Sequence, residues 1–478
     1  MTNWKKRAME EIDEIEKSIQ DVVKLIDQSL PNLQERTENF RVVIEKASQN
    51  ASSINMEIKR IERTQTRISQ VLDTLLKAKE QRSVLQKCKD AFRAKDFDNT
   101  VRHFIQLKSY GTNCSRLMND EISVLEKTIR TEFSSGLKGA TEKGDMKQTL
   151  RYTDLLMRIG FEDEGLQQYV LYYTGLINNE ASSIKEKLLR LDIATIKTNA
   201  VFAESVKGFA DFSLKLVMRQ SAIKAEEIFK PDIMYTIVSK MYSEISTSML
   251  MLLNTFSTVR RINALQQVKP KDMSEQEVII VLDEMSMISS VFVVCKMKME
   301  EYLGNIKASE EVKKKPVDSL VKVVNEMEKA MNTFMIIQEN YITMMFSKNI
   351  KEKVKIGEYS EVLDLIFYEL QQSANRVVIS GSFQTSCAVL NLIVTTIKTY
   401  LLNMTKQVVR DNTSFNNVKS SDVLKKVDDC KLKIQKLHSS ISVRMNDMWR
   451  NNEKSLEMIN IGLDELLDTQ LLFDALKA

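Results

Sequence analysis

Residues 33–75 read LQERTENFRVVIEKASQNASSINMEIKRIERTQTRISQVLDTL, and their spacing decides the fold class. Leu33, Thr37, Phe40, Ile44, Ala47, Ala51, Ile54, Ile58, Ile61, Gln65, Ile68, Leu72 and Leu75 follow an unbroken alternation of four- and three-residue steps. That is the heptad pattern of a coiled coil. Upstream, Ile12, Ile15, Ile19, Val22 and Ile26 keep a three-four spacing, and the register breaks near Leu30-Pro31. Proline fits best in the first turn of a helix, so a second helix is expected to open there. A stripe this narrow has no globular core of its own and must be buried against another helix. Thr37, Ala47, Ala51 and Gln65 occupy core positions, where small and polar residues weaken self-pairing and set register and partner. A hetero-coiled-coil is therefore expected before a homodimer.

Composition extends the helical reading to the whole chain. The 478 residues include only 12 Gly and 4 Pro, well below ordinary usage. Sheets need tight turns, and tight turns use those residues. The expected fold is all-α: an N-terminal long coiled coil followed by an elongated rod of stacked antiparallel helical bundles. The expected divisions are a coil over 1–85, a bundle over 86–270 and a further bundle over 271–478. Breaks are expected near Asp96–Asn99, at Gly111, at Gly136-Leu-Lys-Gly139, at Gly144-Asp145 and at Gly160. Later ones are expected at Lys230-Pro231, Lys269-Pro270, Lys313–Pro316 and Asp411–Ser414. Of the 25 Met residues, 15 cluster between 218 and 345 and fit irregular helical cores.

Val377–Ile397 carries no charge and is long enough to span a bilayer. Its Ser, Thr, Asn and Gln side chains would each cost free energy in lipid. A kink at Gly381 leading into a buried helix is expected instead. Val278–Cys295 is also apolar, interrupted by Asp283 and Glu284. The start, with Lys5, Lys6 and Arg7 followed at once by Glu10, Glu11, Asp13 and Glu14, has no apolar signal core.

The residues offer little chemistry. A net charge of +4, from 69 basic and 65 acidic residues, is too even for an obvious nucleic-acid binder. Cys88, Cys114, Cys295, Cys387 and Cys430 form no CxxC pair and fit buried thiols in a reducing compartment. The two histidines, His103 and His438, lie far apart. Gly144 is followed by Asp145, which would repel a phosphate, so no phosphate loop is present. No enzyme active site, metal site or cofactor is expected.

Several short segments also carry a family resemblance through their order. These are Pro31-Asn-Leu-Gln, Asn50-Ala-Ser-Ser, the coil from Ile54 to Leu75, and Ala91-Phe-Arg-Ala-Lys-Asp-Phe97 followed by His103. Then come Gly144-Asp-Met-Lys-Gln148 with Arg151, Gly160, Glu164-Gly-Leu166 with Tyr169, and Ser380-Gly-Ser382 with Cys387 and Asn391-Leu392. Over about 15–400 this order resembles the fourth-subunit family of the conserved oligomeric Golgi complex. The resemblance implies a helical-rod fold and a non-enzymatic role in retrograde, intra-Golgi vesicle tethering that maintains Golgi structure and glycosylation. It implies assembly with subunits 1, 2 and 3 through the N-terminal coil, and contact with Golgi syntaxin SNAREs and their Sec1-type regulator. The implied location is the cytosol and the cytosolic face of Golgi membranes, peripherally attached. The family is longer, with a C-terminal helical domain this chain largely lacks. Leu463–Leu476 is expected to form an apolar helix exposed for want of a neighbour. The alternatives are a cytoskeletal or chromosome-linked coiled-coil scaffold, or a subunit of another helical-rod tether such as exocyst. The candidate partner-binding residues are the seam: Ile12, Ile15, Ile19, Val22, Ile26, Leu33, Phe40, Ile44, Ile54, Ile58, Ile61, Ile68, Leu72 and Leu75.

Overall fold

The structure is a computed structural model that describes residues 2–111, 116–192, 195–196, 199–267, 274–313, 318–350, 359–413 and 420–474. Every regular element among the described residues is helical. The chain divides into two compact units, Met1–Ile129 and Arg130–Ala478.

In the first unit, α1 (Thr2–Arg93) is a single helix of 92 residues with Pro31 inside it. The expected helix start at Pro31 is thus corrected. The reason lies in the spacing: Val22, Ile26, Leu30, Leu33 and Thr37 step by four, four, three and four. Such a stutter shifts the phase of the apolar stripe without ending the helix. Pro31 deletes one backbone hydrogen bond, a local cost of about 3 kcal/mol that a long helix absorbs. At its C-terminal end α1 packs against α2 (Phe97–Ser109) as an antiparallel pair. The turn between them falls where expected, with Asp96 capping α2 by accepting from the Asn99 amide at 3.3 Å. Val84, Leu85, Cys88, Phe97, Val101, Phe104 and Leu107 are buried in this foot. Lys89 pairs with Glu121 at 2.8 Å and Lys108 with Glu126 at 2.6 Å, tying in the start of α3 (Arg116–Glu142).

The second unit continues α3 and adds α4 (Met146–Arg158), α5 (Glu162–Leu189), α6 (Val201–Ala222), α7 (Pro231–Val259) and α8 (Glu275–Asn305). Then follow α9 (Asp318–Ile350), α10 (Tyr359–Ser380), α11 (Phe383–Thr396), α12 (Leu402–Thr413), α13 (Ser420–Trp449) and α14 (Glu453–Asp474). A π-helical turn at Ile397–Leu401 joins α11 to α12. The expected breaks at Gly144-Asp145, Gly160 and Lys230-Pro231 are present. Asp145 caps α4 through the Lys147 and Gln148 amides, both at 3.1 Å, and Pro231 opens α7 at its first turn. Gly136-Leu-Lys-Gly139 is not a break. α3 runs through it, and a Cβ on Gly136 would lie 2.5 Å from the Tyr152 ring, so this glycine admits a close neighbour. The expected breaks around Pro270 and Pro316 lie outside the described residues, as do Ser414 and Cys114.

One apolar core runs from Leu150 to Phe473 without interruption. Met234, Met241, Met249, Met285, Met299, Met327 and Met331 are among its members. Chain neighbours α13 and α14 run antiparallel: Lys431 bonds Asp474 at 2.6 Å and Gln435 bonds Gln470 at 3.3 Å. Across the stack α10 and α13 run parallel, because Asp364, Gln371 and Asn375 meet Lys433, Ser440 and Arg444 in the same order. The bundles are thus antiparallel between successive helices and parallel between layers.

Gly381 turns the chain at φ +70° and α11 follows, as expected. Val377, Ser386, Val389, Leu390, Ile393, Val394 and Ile397 are buried within the unit. Ser380 and Ser386 donate to the carbonyls of Val377 and Ser382, both at 2.8 Å, which offsets their burial. Two helices, Glu275–Asn305 and Phe383–Gln407, are long and apolar enough to cross a membrane, and just over half of each apolar window is buried inside the protein. The apolar helix expected over Leu463–Leu476 is partly covered. α14 packs on α11 and α13, which bury Leu463, Leu466 and Phe473, while Leu467, Leu471 and Leu472 are exposed, and residues 475–476 lie outside the described residues.

Candidate interaction surface

α1 is built from strong helix formers with no glycine, so nothing interrupts it before Arg93. Its first eighty residues lie outside any core, and every residue from Trp4 to Glu80 is exposed. Along the seam exposure ranges from 46% at Ile58 to 68% at Phe40, close to what a lone helix gives. Ile12, Ile15, Ile19, Val22 and Ile26 lie on the same exposed helix as Leu33, Ile44, Ile54, Ile61, Ile68, Leu72 and Leu75. Among the described residues none covers them. Long apolar faces left in water are candidate interaction surfaces.

The seam ends abruptly. Continuing its steps past Leu75 reaches Lys79, Arg82, Gln86 and Lys89, all polar. The residues buried against α2 are Gln81, Val84, Leu85 and Cys88, which belong to a different face. α1 therefore carries two stripes. One is used within the chain and one is left open. The hydroxyls of Thr64, Thr66 and Thr74 donate to carbonyls four residues back at 2.8 Å, so these residues bring no unmet polar demand to the surface. Arg41 lies between Glu38 and Glu45 at 3.7 and 3.6 Å, and Arg60 lies 3.6 Å from Glu57, all on the same helix and all exposed. Such pairs contribute little to stability.

Among the described residues no group of three or more His, Cys, Asp or Glu could hold a metal ion. Burial pushes the thiols of Cys88 and Cys295 up to about 11 and that of Cys430 to about 12, the condition of unreactive packing residues. A cavity of about 170 Å³ lies beside Met249, Phe292, Met327 and Met331 in the second unit, with an almost wholly apolar lining.

No family model matches the chain. Conserved oligomeric Golgi complex subunit 4 of Mus musculus is 19% identical to it over 386 residues, covering 72% of this chain and 48% of that protein. The Homo sapiens subunit 4 matches at 19% over 389 residues with the same coverage. The Schizosaccharomyces pombe subunit 4 is 24% identical over 147 residues, 30% of this chain and 19% of the relative. This is a subunit-4-like chain. It spans about half the length of the mouse and human relatives. Among solved structures, a computationally designed self-assembling cyclic homo-oligomer covers 66% of the chain at 8% identity and a TM-score of 0.23, a likeness too loose to carry an argument.

Of the segments that carry the family resemblance, Pro31–Gln34, Asn50–Ser53 and Ile54–Leu75 lie inside α1, and those around Gly160 sit at a corner of the fold. Gly160 turns the chain at φ +96°. Glu164 pairs with Arg130 at 2.7 Å and accepts from Ser134 at 2.8 Å. A Cβ on Gly165 would press within 3.3 Å of Leu156 and the Thr153 carbonyl. Tyr169 donates to Gln220 inside the core. These residues fix helix junctions.

Sequence reasoning missed one internal feature. Glu284, read as an interruption of an apolar run, is fully buried. It accepts from Arg260 at 2.7 Å and from the Phe202 amide at 3.0 Å. Arg260 also donates to the carbonyls of Ile196 and Asn199. Burial pushes the Glu284 carboxyl up to about 7, with Arg260 and the α6 N-terminal amides pulling the other way. The adjacent Asp283 pairs with Arg376 at 2.7 Å. The only signal in the sequence was a lone acidic pair within apolar helix.

Proposed function

We propose that this chain is a non-enzymatic subunit of a Golgi tethering complex that acts in retrograde, intra-Golgi vesicle transport and so maintains Golgi structure and glycosylation. The observation that carries the proposal is the open seam of α1, a long apolar face with no cover among the described residues, on a chain similar to subunit 4 over most of its length. The seam residues Ile12 to Leu75 are its assembly surface, and other subunits of the complex supply the missing helices. Subunits 1, 2 and 3 are the first expected partners, with Golgi syntaxin SNAREs and their Sec1-type regulator beyond them. Attachment to the cytosolic face of Golgi membranes is peripheral, because the two apolar helices contribute to the protein core and one holds the buried Glu284–Arg260 pair. The test is affinity purification of the tagged chain with identification of the chains that co-purify. Complex subunits are expected with the native sequence and not with Ile58→Asp/Ile61→Asp. Absence of those subunits from the native pull-down would overturn the assignment, and retention in the membrane pellet after high-pH carbonate would overturn peripheral attachment.

A further inference from the structure

The charges beside the seam say which helix closes it. In the heptad frame Thr37, Ile44, Ala51, Ile58, Gln65 and Leu72 take the a positions, and Leu33, Phe40, Ala47, Ile54, Ile61, Ile68 and Leu75 the d positions. The flanking g and e positions carry four charges: Arg36 and Arg41 before the Ala47–Ala51 midpoint, Glu57 and Glu62 after it. All are exposed, and the pairs that Arg41 and Glu57 make within the helix, with Glu38, Glu45 and Arg60, are the weak surface kind that a partner can displace.

We propose that this seam closes on a second copy of the chain running antiparallel and centred on Gln49. In a parallel, in-register pair each g residue faces the partner's next e residue. Arg36 would then face the partner's Arg41, and Glu57 the partner's Glu62, like against like on both sides. In the antiparallel pair the rotation about Gln49 sets core residues equally far from it side by side, Thr37 with the partner's Ile61 and Phe40 with the partner's Ile58, while g reaches g and e reaches e diagonally across such a pair of layers. Arg36 then meets the partner's Glu57, and Arg41 meets the partner's Glu62. Symmetry repeats both, so all four clashes become four attractions.

The core layers agree with the same register. Ile44 lies against the partner's Ile54, Phe40 against the partner's Ile58, and Ala47 against the partner's Ala51. Leu30 and Ile26, which the stutter at Pro31 brings onto the stripe, lie against the partner's Ile68 and Leu72. Small residues at the centre let the two backbones approach closely. Gln65 and Thr37 face the partner's Leu33 and Ile61, which makes this pairing exchangeable rather than permanent. The segment before Val22 faces the polar end of the partner's seam and remains open. Self-pairing occupies the seam only in chains that other subunits have not engaged, so the inference goes beyond the proposed assembly role and does not rest on it.

Sedimentation equilibrium of the full chain tests the pairing. The native chain is expected to dimerise, Arg36→Glu/Arg41→Glu to dimerise at least about tenfold more weakly, and the additional changes Glu57→Arg/Glu62→Arg to restore the native constant. All four positions are exposed, so folding is not at stake. Orientation is read from nitroxide pair distances with the label placed by an unnatural amino acid. At Gln49 the pair should be close, and at Gln70 the two labels should be offset by about 63 Å along the helix. A monomeric native chain at high concentration would overturn the proposal. So would undiminished dimerisation of the double variant, or short distances at both sites, which mark a parallel pair. Golgi subunits could still be captured in that event, so failure here and failure of the assembly role are separate results.

Discussion

α1 and α8 are both rich in isoleucine, valine and leucine, yet one is exposed and the other is core. The difference lies in how the apolar residues are distributed. α1 spreads them in a stripe two residues wide per heptad, with charge on the other faces. α8 places Val278, Val281, Leu282, Met285, Ile288, Phe292, Cys295 and Met299 on a broad face, and α6, α9 and α10 pack around it. A narrow stripe can be closed by one helix from elsewhere, whereas a broad one needs several neighbours, which a single chain supplies best. Their charges differ in the same way. Those of α1 stay in water, while Glu284 of α8 is taken inside and must be paired.

The sharpest break of this comparison is one substitution made in both helices. Ile288 is fully buried, so Ile288→Asp puts a carboxylate into the core of the second unit and should cost more than about 4 kcal/mol. Loss of the cooperative denaturation transition of that unit is the expected result. A stable, cooperative variant would mean that α8 is not core.

The next effect in size concerns the buried pair. Arg260→Ala leaves Glu284 buried without its cation and should destabilise the second unit by about 3–5 kcal/mol in urea denaturation. The pH dependence has a fixed sign. Glu284 is raised in the folded state from 4.5 to about 7, so the folded state binds the proton more tightly than the unfolded one. Its contribution is fully present below about pH 4.5, declines as pH rises towards 7, and is flat above that, a change of about 3 kcal/mol at most. Glu284→Gln should remove this slope while other carboxylates keep theirs.

Pro31 tests whether α1 is one helix. Restoring the missing backbone donor with Pro31→Ala should stabilise the helix locally by up to about 3 kcal/mol, seen as slower amide exchange on either side of position 31. Unchanged exchange would mean that the helix is already interrupted there.

What the sequence could reveal follows the range of the forces involved. Local signals were legible: the breaks near Asp96–Asn99, at Gly144-Asp145, at Gly160 and at Lys230-Pro231, and the kink at Gly381. Pro31 misled because its preference for a first turn was weighed against the heptad alone, without allowing for a stutter. Gly136 misled because a glycine admitting a ring looks the same in sequence as one ending a helix. Glu284 could not be read, since Arg260 and Phe202 lie 24 and 82 residues away and nothing local marks either as its partner. The heptad spacing of α1 is readable because its period is local. That the described residues leave it uncovered is a property of the fold.

The smallest expected stability effect is the most informative. Ile58 and Ile61 carry the same side chain as Ile288, and Ile58→Asp/Ile61→Asp adds two carboxylates to α1. Both positions are well exposed, 46% at Ile58 and 63% at Ile61, so the new charges lose little hydration in the isolated chain. Nearby Lys59, Arg60 and Arg63 partly offset them. Denaturation of the isolated double variant should therefore match the native chain within about 0.5 kcal/mol for the second unit, the range of ordinary surface changes. Any seam-to-seam association should fall sharply, because closing the seam would now bury unpaired charge. The two readouts separate a surface kept for a partner from a surface the chain needs for itself. A large loss of stability in the isolated variant would place α1 among the helices that this chain covers on its own.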